Sequence, residues 1–302
     1  MNNEQNEVYE IVKVPSMLRL SLREIKADKF ALVSAIIIFL ILATVIIAAP
    51  IVTTESATRV NMQNVNSPPS WQGGTEGYLL GTDQGGRNIF FLLIVSARNS
   101  LIIGFGVAII AIIIGFVIGI ISGYFGGWID MVIMRLVDTW MMIPTLVFII
   151  AMTTVLPRTI WNLIFLLVAF AWLGRARLIR NITLQQINMD YVAASKTLGT
   201  RNPIIMLREI VPNLVPVLAP DIVLAMSTTI GVETGLSMLG FGLPIETPSI
   251  GTLINNAMVM INLQHRWWNW FPAIALLFII SLSINFVGQA IQRVADPRQR
   301  MV

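Results

Sequence analysis

Asp221 and Glu233 are carboxylates set in, or at the end of, an apolar stretch over 213–235 of this 302-residue chain. Charge in hydrocarbon is costly, so such side chains face a cavity or a partner. Each can line a polar path or make a gate contact, and each can equally be a structural hydrogen-bonding group. Arg135 and Asp138, three residues apart, share one helical face and can pair. His265 is the single His, which excludes two-His metal motifs, and beside Arg266 and Trp267 it reads as an interfacial residue. The sequence has no Cys. It has no G-x-x-x-x-G-K-[ST] loop, H-E-x-x-H or G-x-S-x-G. It therefore offers no Walker-type phosphate cradle, zinc-protease helix or nucleophile elbow. No catalytic residue, metal ligand or cofactor site is expected. Pro144, Pro216 and Pro220 interrupt backbone pairing, which lipid tolerates only where neighbours or a cavity satisfy the freed groups. Pro144 and Pro220 are candidate hinges.

A second kind of chemistry is docking. Residues 189–213 read MDYVAASKTLGTRNPIIMLREIVPN, a polar, basic stretch between apolar runs. Helix is expected to continue from the preceding span through 175–181 and on to Leu198. Ala193 and Ala194 are small enough to let another surface approach closely. Gly199 suits a left-handed helix stop. Asn202 can cap the next helix with Pro203 in its first turn. That helix should end near Val211, with Pro212 leading into the next span. The reading is two short helices joined at a Gly corner, with Lys196, Arg201 and Arg208 solvated. A plain connector whose charges only set topology is the alternative, although bundle connections are usually about 2–8 residues.

The elements that must hold these residues are membrane helices. The chain is 56% hydrophobic and 12% charged, about half the charge of a soluble domain. Runs of about 20 apolar residues span a bilayer as helices, and six are present. They cover about 30–51, 100–121, 136–156 (bent or weakened at Pro144), 160–174 (short), 213–235 and 271–292. The fold class is all-α and polytopic. Within the second run, Gly115 and Gly119 permit close helix approach, read here as packing inside the subunit. With the N-terminus inside, fifteen of the 20 Lys and Arg fall on inner segments, as the positive-inside rule requires. Both termini are then cytoplasmic: a segment over 1–29 with Lys13 and a tail over 293–302 with Arg298 and Arg300. The loops over 52–99 and 236–270 face out. Trp267, Trp268 and Trp270 fit an outer aromatic belt. The 29 hydrophilic residues before the first run argue against a cleavable signal. The net charge of +4 gives no reason to expect a nucleic-acid partner.

Several ordered motifs now coincide. Ala193-Ala194, Gly199 and Ile210-Val211-Pro212 resemble the Glu-Ala-Ala…Gly…Ile-x-Leu-Pro pattern of permease subunits of binding-protein-dependent ABC importers. The departures are Val192 for Glu, Val211 for Leu and one extra residue before Ile210. Asp190-Tyr191-Val192 is similar to the dipeptide/oligopeptide/nickel branch, in which Glu209 is usually His. LLGTDQGGRNIF (79–90), GYFGGWID (123–130) with Arg135, Asp138 and Pro144, ETGLSMLGFGLP (233–244) and TPSIG (247–251) resemble further segments of that branch. Asn88, Met238 and Ile250 stand where Asp, Phe and Trp are usual. The similarity runs over about residues 20–297.

The resemblance implies a type I importer permease fold with one domain over 30–292 and a cytoplasmic coupling loop over 179–212. It implies a second permease subunit in a heterodimer, two cytoplasmic ATPase subunits that bind ATP and Mg, and an outer substrate-binding protein. Asp190, Tyr191, Ala193, Ala194, Gly199, Pro203 and Pro212 become the expected ATPase-docking residues. Asp221, Glu233 and Pro144 become pathway or gate candidates. Di- or oligopeptides are the expected cargo, in a bacterial or archaeal cell membrane. The rivals are a nickel or metal-chelate importer of the same branch and a proton-coupled carrier.

Overall fold

The computed structural model of the chain describes residues 17–295. Lys13, Arg298 and Arg300, and most of the two terminal segments expected in the cytoplasm, lie outside them. A short amphipathic helix α1 (Met17–Ala27) leads into α2 (Lys29–Ala48). Asp28 caps α2, its carboxylate accepting from the backbone N–H of Phe30 and Ala31. The loop after α2 holds a short helix, α3 (Thr54–Thr58), and two 3-10 turns before α4 (Ile89–Phe125). Next come α5 (Gly127–Met141), α6 (Thr145–Val155) and α7 (Ile160–Ile187). Two short helices, α8 (Asp190–Thr197) and α9 (Asn202–Ile205), precede a π turn (Met206–Ile210) and α10 (Val211–Met238). The chain closes with α11 (Ile250–Ala257), α12 (Met260–His265) and α13 (Trp267–Ala295).

Among the described residues five continuous helical stretches are long and apolar enough to cross a membrane, and six if α5 and α6, bent by 74° at their break, make one span. Pro144 sits at the N-terminal cap of α6, where it cannot donate to a continuing helix. The structure corrects several spans. The second begins at Ile89, not near residue 100: Asn88 caps it by accepting from Phe90 N at 3.0 Å. Its 37 residues reach about 55 Å at 1.5 Å per residue, against a hydrocarbon core of about 30 Å. α4 is therefore longer than the hydrocarbon core is thick. The fourth span is not short, since α7 runs unbroken for 28 residues. It does not continue to Leu198; it stops at Ile187, and α8 starts afresh at Asp190. The fifth span joins the elbow without a break, so Asn202–Met238 forms one helical stretch.

The core is layered along α4. A stripe of small residues brings α4 against α7. A Cβ added at Gly119 would lie 2.6 Å from the carbonyl oxygen of Ala176, and one at Gly123 would lie 2.8 Å from that of Arg180. Only glycine permits that approach. One apolar cluster joins Ile103 and Val107 of α4, Ile149 of α6, Leu163 and Leu167 of α7, and Leu236 of α10. A second joins Ile230 of α10 with Ile250 and Ile254 of α11 and Ile280 and Ile284 of α13. Large side chains such as Phe39, Ile46, Trp161 and Phe165 remain exposed, as a surface meeting lipid or another subunit requires.

Candidate functional site: an elbow, an ionic seam and a buried carboxylate

The elbow is built from α8, a corner and α9. Leu198 ends α8 and Gly199 takes φ +78°, in the left-handed region. Its N–H bonds the carbonyl of Lys196 at 3.0 Å, and Thr200 N bonds that of Ser195 at 3.1 Å. This satisfies the end of α8 and turns the chain. Pro203 lies in the first turn of α9. Val192, Ile205 and Ile210 are fully buried and pack with Ile120 of α4, Ile179 of α7 and Leu214 of α10. The elbow is thus a packed unit on the neighbouring ends of three long helices. Asp190, Ala193, Ala194, Gly199 and Pro203 lie on its exposed side.

Tyr191 donates to Gln186 Oε1 at 2.5 Å and accepts from Asn213 Nδ2 at 3.1 Å. It thereby ties the end of α7 to the start of α10. Pro212 lies in the first turn of α10, inside a continuous stretch rather than at a break. Asn202 does not cap α9: its Oδ1 accepts from the hydroxyl of Tyr124 at 2.9 Å. Lys196 Nζ stands 5.6 Å from the centre of the same Tyr124 ring, within cation–π range. Ser195 donates to Glu209 across the corner. Sequence reasoning passed over Tyr124. Its only signal was an aromatic at the end of an apolar run before the Gly126-Gly127 turn.

Three arginines on α7 stitch the half of the bundle next to the elbow. Arg175 Nε bonds Asp221 Oδ2 of α10 at 3.0 Å. Arg177 pairs with Asp138, and Arg180 with Asp130, both on α5. Asp130 also accepts from Ser122. The expected Arg135–Asp138 pair is replaced by Arg177–Asp138 between helices. Asp221 therefore faces an arginine at the α7–α10 contact.

Glu233 is fully buried. Oε1 accepts from Ser237 at 2.8 Å and Ser249 at 2.5 Å, and Oε2 accepts from Ser100 at 3.3 Å. Ser100 Oγ in turn accepts from Ile250 N at 3.1 Å. Beside it, Asn99 Nδ2 bonds the carbonyl of Pro248 at 2.8 Å. The carboxylate thus joins α4, α10 and the segment entering α11. Pro144, Asp221 and Glu233 lie on three separate parts of the bundle, and no contact brings them together among the described residues.

At the opposite end of the bundle the loop before α4 is a folded set of turns. Asn61 and Asn64 donate to the Tyr78 hydroxyl at 3.2 and 3.3 Å. Ser67 N donates to Thr82 Oγ1 at 2.8 Å. Trp71 meets Trp267 with ring centroids 5.8 Å apart, joining this loop to the start of α13.

Comparison with known proteins agrees with this arrangement. The family described as binding-protein-dependent transport system inner membrane component matches residues 115–301. The chain is 42% identical over 277 residues to the oligopeptide transport system permease protein OppC of Lactococcus lactis subsp. lactis (strain IL1403), covering 91% of this chain and 93% of the relative. It is 32% identical to OppC of Bacillus subtilis (strain 168), covering 91% of this chain and 88% of the relative. It is 31% identical to the dipeptide transport system permease protein DppC of the same strain, covering 99% and 92%. A polytopic helical bundle with a packed elbow, matched over most of its length by such permeases, belongs to the binding-protein-dependent transport system inner membrane component family.

Proposed function

We propose that this chain is a permease subunit of an ATP-driven importer and forms part of the path for dipeptides or oligopeptides delivered by an outer binding protein. The observation that carries this reading is the elbow: two short helices at a left-handed Gly199 corner, packed on the inner ends of α4, α7 and α10. Names of the relatives, oligopeptide and dipeptide permeases, supply the cargo class. The chain contributes no catalytic group. ATP and Mg belong to two cytoplasmic ATPase subunits, and the pathway is shared with a second permease subunit. Both termini, including residues outside those described, face the cytoplasm of a bacterial or archaeal cell membrane.

The mechanism follows from the packing. Closure of the ATPase pair pushes the exposed face of α8, where Asp190, Ala193 and Ala194 lie. The elbow moves as one body because its apolar interior cannot be sheared without exposing Val192, Ile205 and Ile210. Its motion enters α10 directly, since no loop intervenes. The bend at Pro144 lets α5 and α6 re-orient separately, which opens the path alternately to each side.

Two variants test this. Gly199→Val forces a β-branched residue into the left-handed region, and Ala194→Trp places an indole on the docking face. In proteoliposomes with all partner subunits, ATP hydrolysis should persist while peptide uptake falls at least tenfold in both. Uptake at the level of the unsubstituted protein in both, or transport by this chain without ATPase subunits, would refute the reading.

A further inference from the structure

A cavity of about 300 Å³ opens among the turn over residues 83–87, α11, α12 and the start of α13. That volume is at the low end of small-molecule sites, roughly 300–1,000 Å³. Its wall is mixed: Leu253 and Ala273 are apolar, whereas Asp83, Arg87, Asn262 and Asn269 are polar. Asn262 and Asn269 are 1% and 8% exposed. They bond each other in one direction only, Asn269 Nδ2 donating to Asn262 Oδ1 at 3.3 Å. That oxygen also accepts from Arg266 Nη1 at 3.3 Å. The outcome is one unused donor, Asn262 Nδ2, and one unused acceptor, Asn269 Oδ1, both buried without a partner among the described residues. Arg87 adds a third unpaired atom, Nε, while its Nη1 stands 3.5 Å from Asp83 Oδ2.

Buried polar groups are almost always paired. These three belong to side chains that line one cavity, and each is closed off from it until its side chain turns. An amide group offers a carbonyl to Asn262 and an N–H to Asn269 at the same time, after a rotation about the soft terminal torsion of each Asn. A carboxylate offers the charge that Arg87 recognises best.

We infer that this outer cavity is a binding site for a small molecule carrying an amide and a carboxylate, the chemistry of a free dipeptide. The identification with cargo rests on the peptide reading above; the donor and acceptor pattern does not. The site lies within one subunit, walled by the turn before α4 and by α11–α13. It therefore serves to hold arriving or released peptide at the outer mouth, or to sense it.

The test uses the complete permease–ATPase complex in lipid nanodiscs, without binding protein. Saturation-transfer NMR is recorded with glycylglycine, and with propionate as an amide-free control. Glycylglycine should saturate one site and propionate should not. Asn262→Leu and Asn269→Leu should each weaken binding about tenfold, the value of one lost hydrogen bond to a buried partner. Asn256→Arg changes an exposed rim residue and should block the mouth without disturbing the interior, so it decides the matter if the buried variants fail to fold. Absence of a saturable signal, or equal signals for glycylglycine and propionate, overturns the inference and leaves a merely hydrated cavity. So does unchanged binding in the variants. Uptake of binding-protein-delivered peptide, measured in parallel, separates this failure from failure of the transport reading.

Discussion

Ser249 Oγ donates to Glu233 Oε1 at 2.5 Å while accepting from Thr252 N at 3.1 Å. One hydroxyl thus caps α11 and pins it to the buried carboxylate of α10. A hydrogen bond to a buried acceptor contributes about 0.5–1.5 kcal/mol net, and more where its loss strands a buried partner. Glu233→Ala removes the acceptor for three serines and should destabilise the protein by about 3 kcal/mol or more. Glu233→Gln keeps one carbonyl oxygen and should cost roughly half as much. Thermal unfolding in detergent checks the ranking; an Ala variant as stable as the parent would show that the serines find other partners.

Close approach of α4 and α7 predicts a contrast between glycines. At Gly119 an added methyl meets backbone, so Gly119→Ala should destabilise by about 1–3 kcal/mol, the usual cost of overpacking. Gly174 on α7 has nothing within 4 Å of an added Cβ. Gly174→Ala should therefore raise stability by up to about 1 kcal/mol through helix propensity. Equal melting temperatures for the two variants would contradict the α4–α7 seam.

Tyr124 holds both arms of the elbow, through its hydroxyl to Asn202 and its ring to Lys196. Tyr124→Phe keeps the ring and loses the hydroxyl, so uptake per ATP hydrolysed should fall about two- to fivefold. Tyr124→Ala loses both and should fall at least tenfold, with ATPase activity retained. If Phe and Ala behave alike, the ring does no work at this joint.

Asp28 joins the start of α2 to the end of α13. Its carboxyl is held below the usual range, chiefly by the backbone N–H of Ala31, then by Phe30 and by Arg293, against a smaller opposing effect of desolvation. Arg293 also bonds Glu24 of α1 at 3.1 Å. A carboxyl lowered on folding stabilises fully above its unfolded pKa, near 4, and loses that contribution as pH falls through its lower folded value. Protection of the α1 amides, corrected for the intrinsic pH dependence of exchange, should therefore be flat from pH 5 to 8 and fall below about pH 4. Asp28→Asn should remove that acid-side fall and lower the protection at neutral pH. An unaltered profile in the variant would exclude Asp28 as its source.

Arg175 and Asp221 face each other from α7 and α10 with limited exposure. Removing either alone leaves an unpaired charge inside the bundle. Asp221→Ala should cost about 2–4 kcal/mol, and the double variant with Arg175→Ala should cost less than the sum of the singles. Additive losses in a double-mutant cycle would deny the pairing any energetic coupling.

What could be read from the sequence was local. Apolar runs announced the helices, and Gly199 announced its corner, because a positive φ is a demand one residue makes on its own. Helix ends were legible only where a residue acted alone. The continuation of α7 through Arg175, Arg177 and Arg180 was legible, but its stop at Ile187 and the partners of the three arginines were not. Those partners, Asp221, Asp138 and Asp130, lie 46, 39 and 50 residues away, and no periodicity connects them. Asp138 was matched to Arg135 because spacing along one helix is visible and spacing between helices is not. Tyr124 and the cavity beside Asn262 depend wholly on elements brought together by folding.

The wide turn at Met206–Ile210 has a further meaning. In an ordinary helix each added residue rotates everything beyond it by about 100°. A single π turn absorbs one surplus residue, so the long helix beyond it keeps its phase. The turn over Met206–Ile210 takes up one residue beyond ordinary α pitch. It does so between the elbow and α10 without re-aiming any face of α10. Deleting exposed Leu207 should let the turn wind down to ordinary pitch and leave the pore-side geometry intact. The same deletion one turn into α10 would swing its remaining faces out of register.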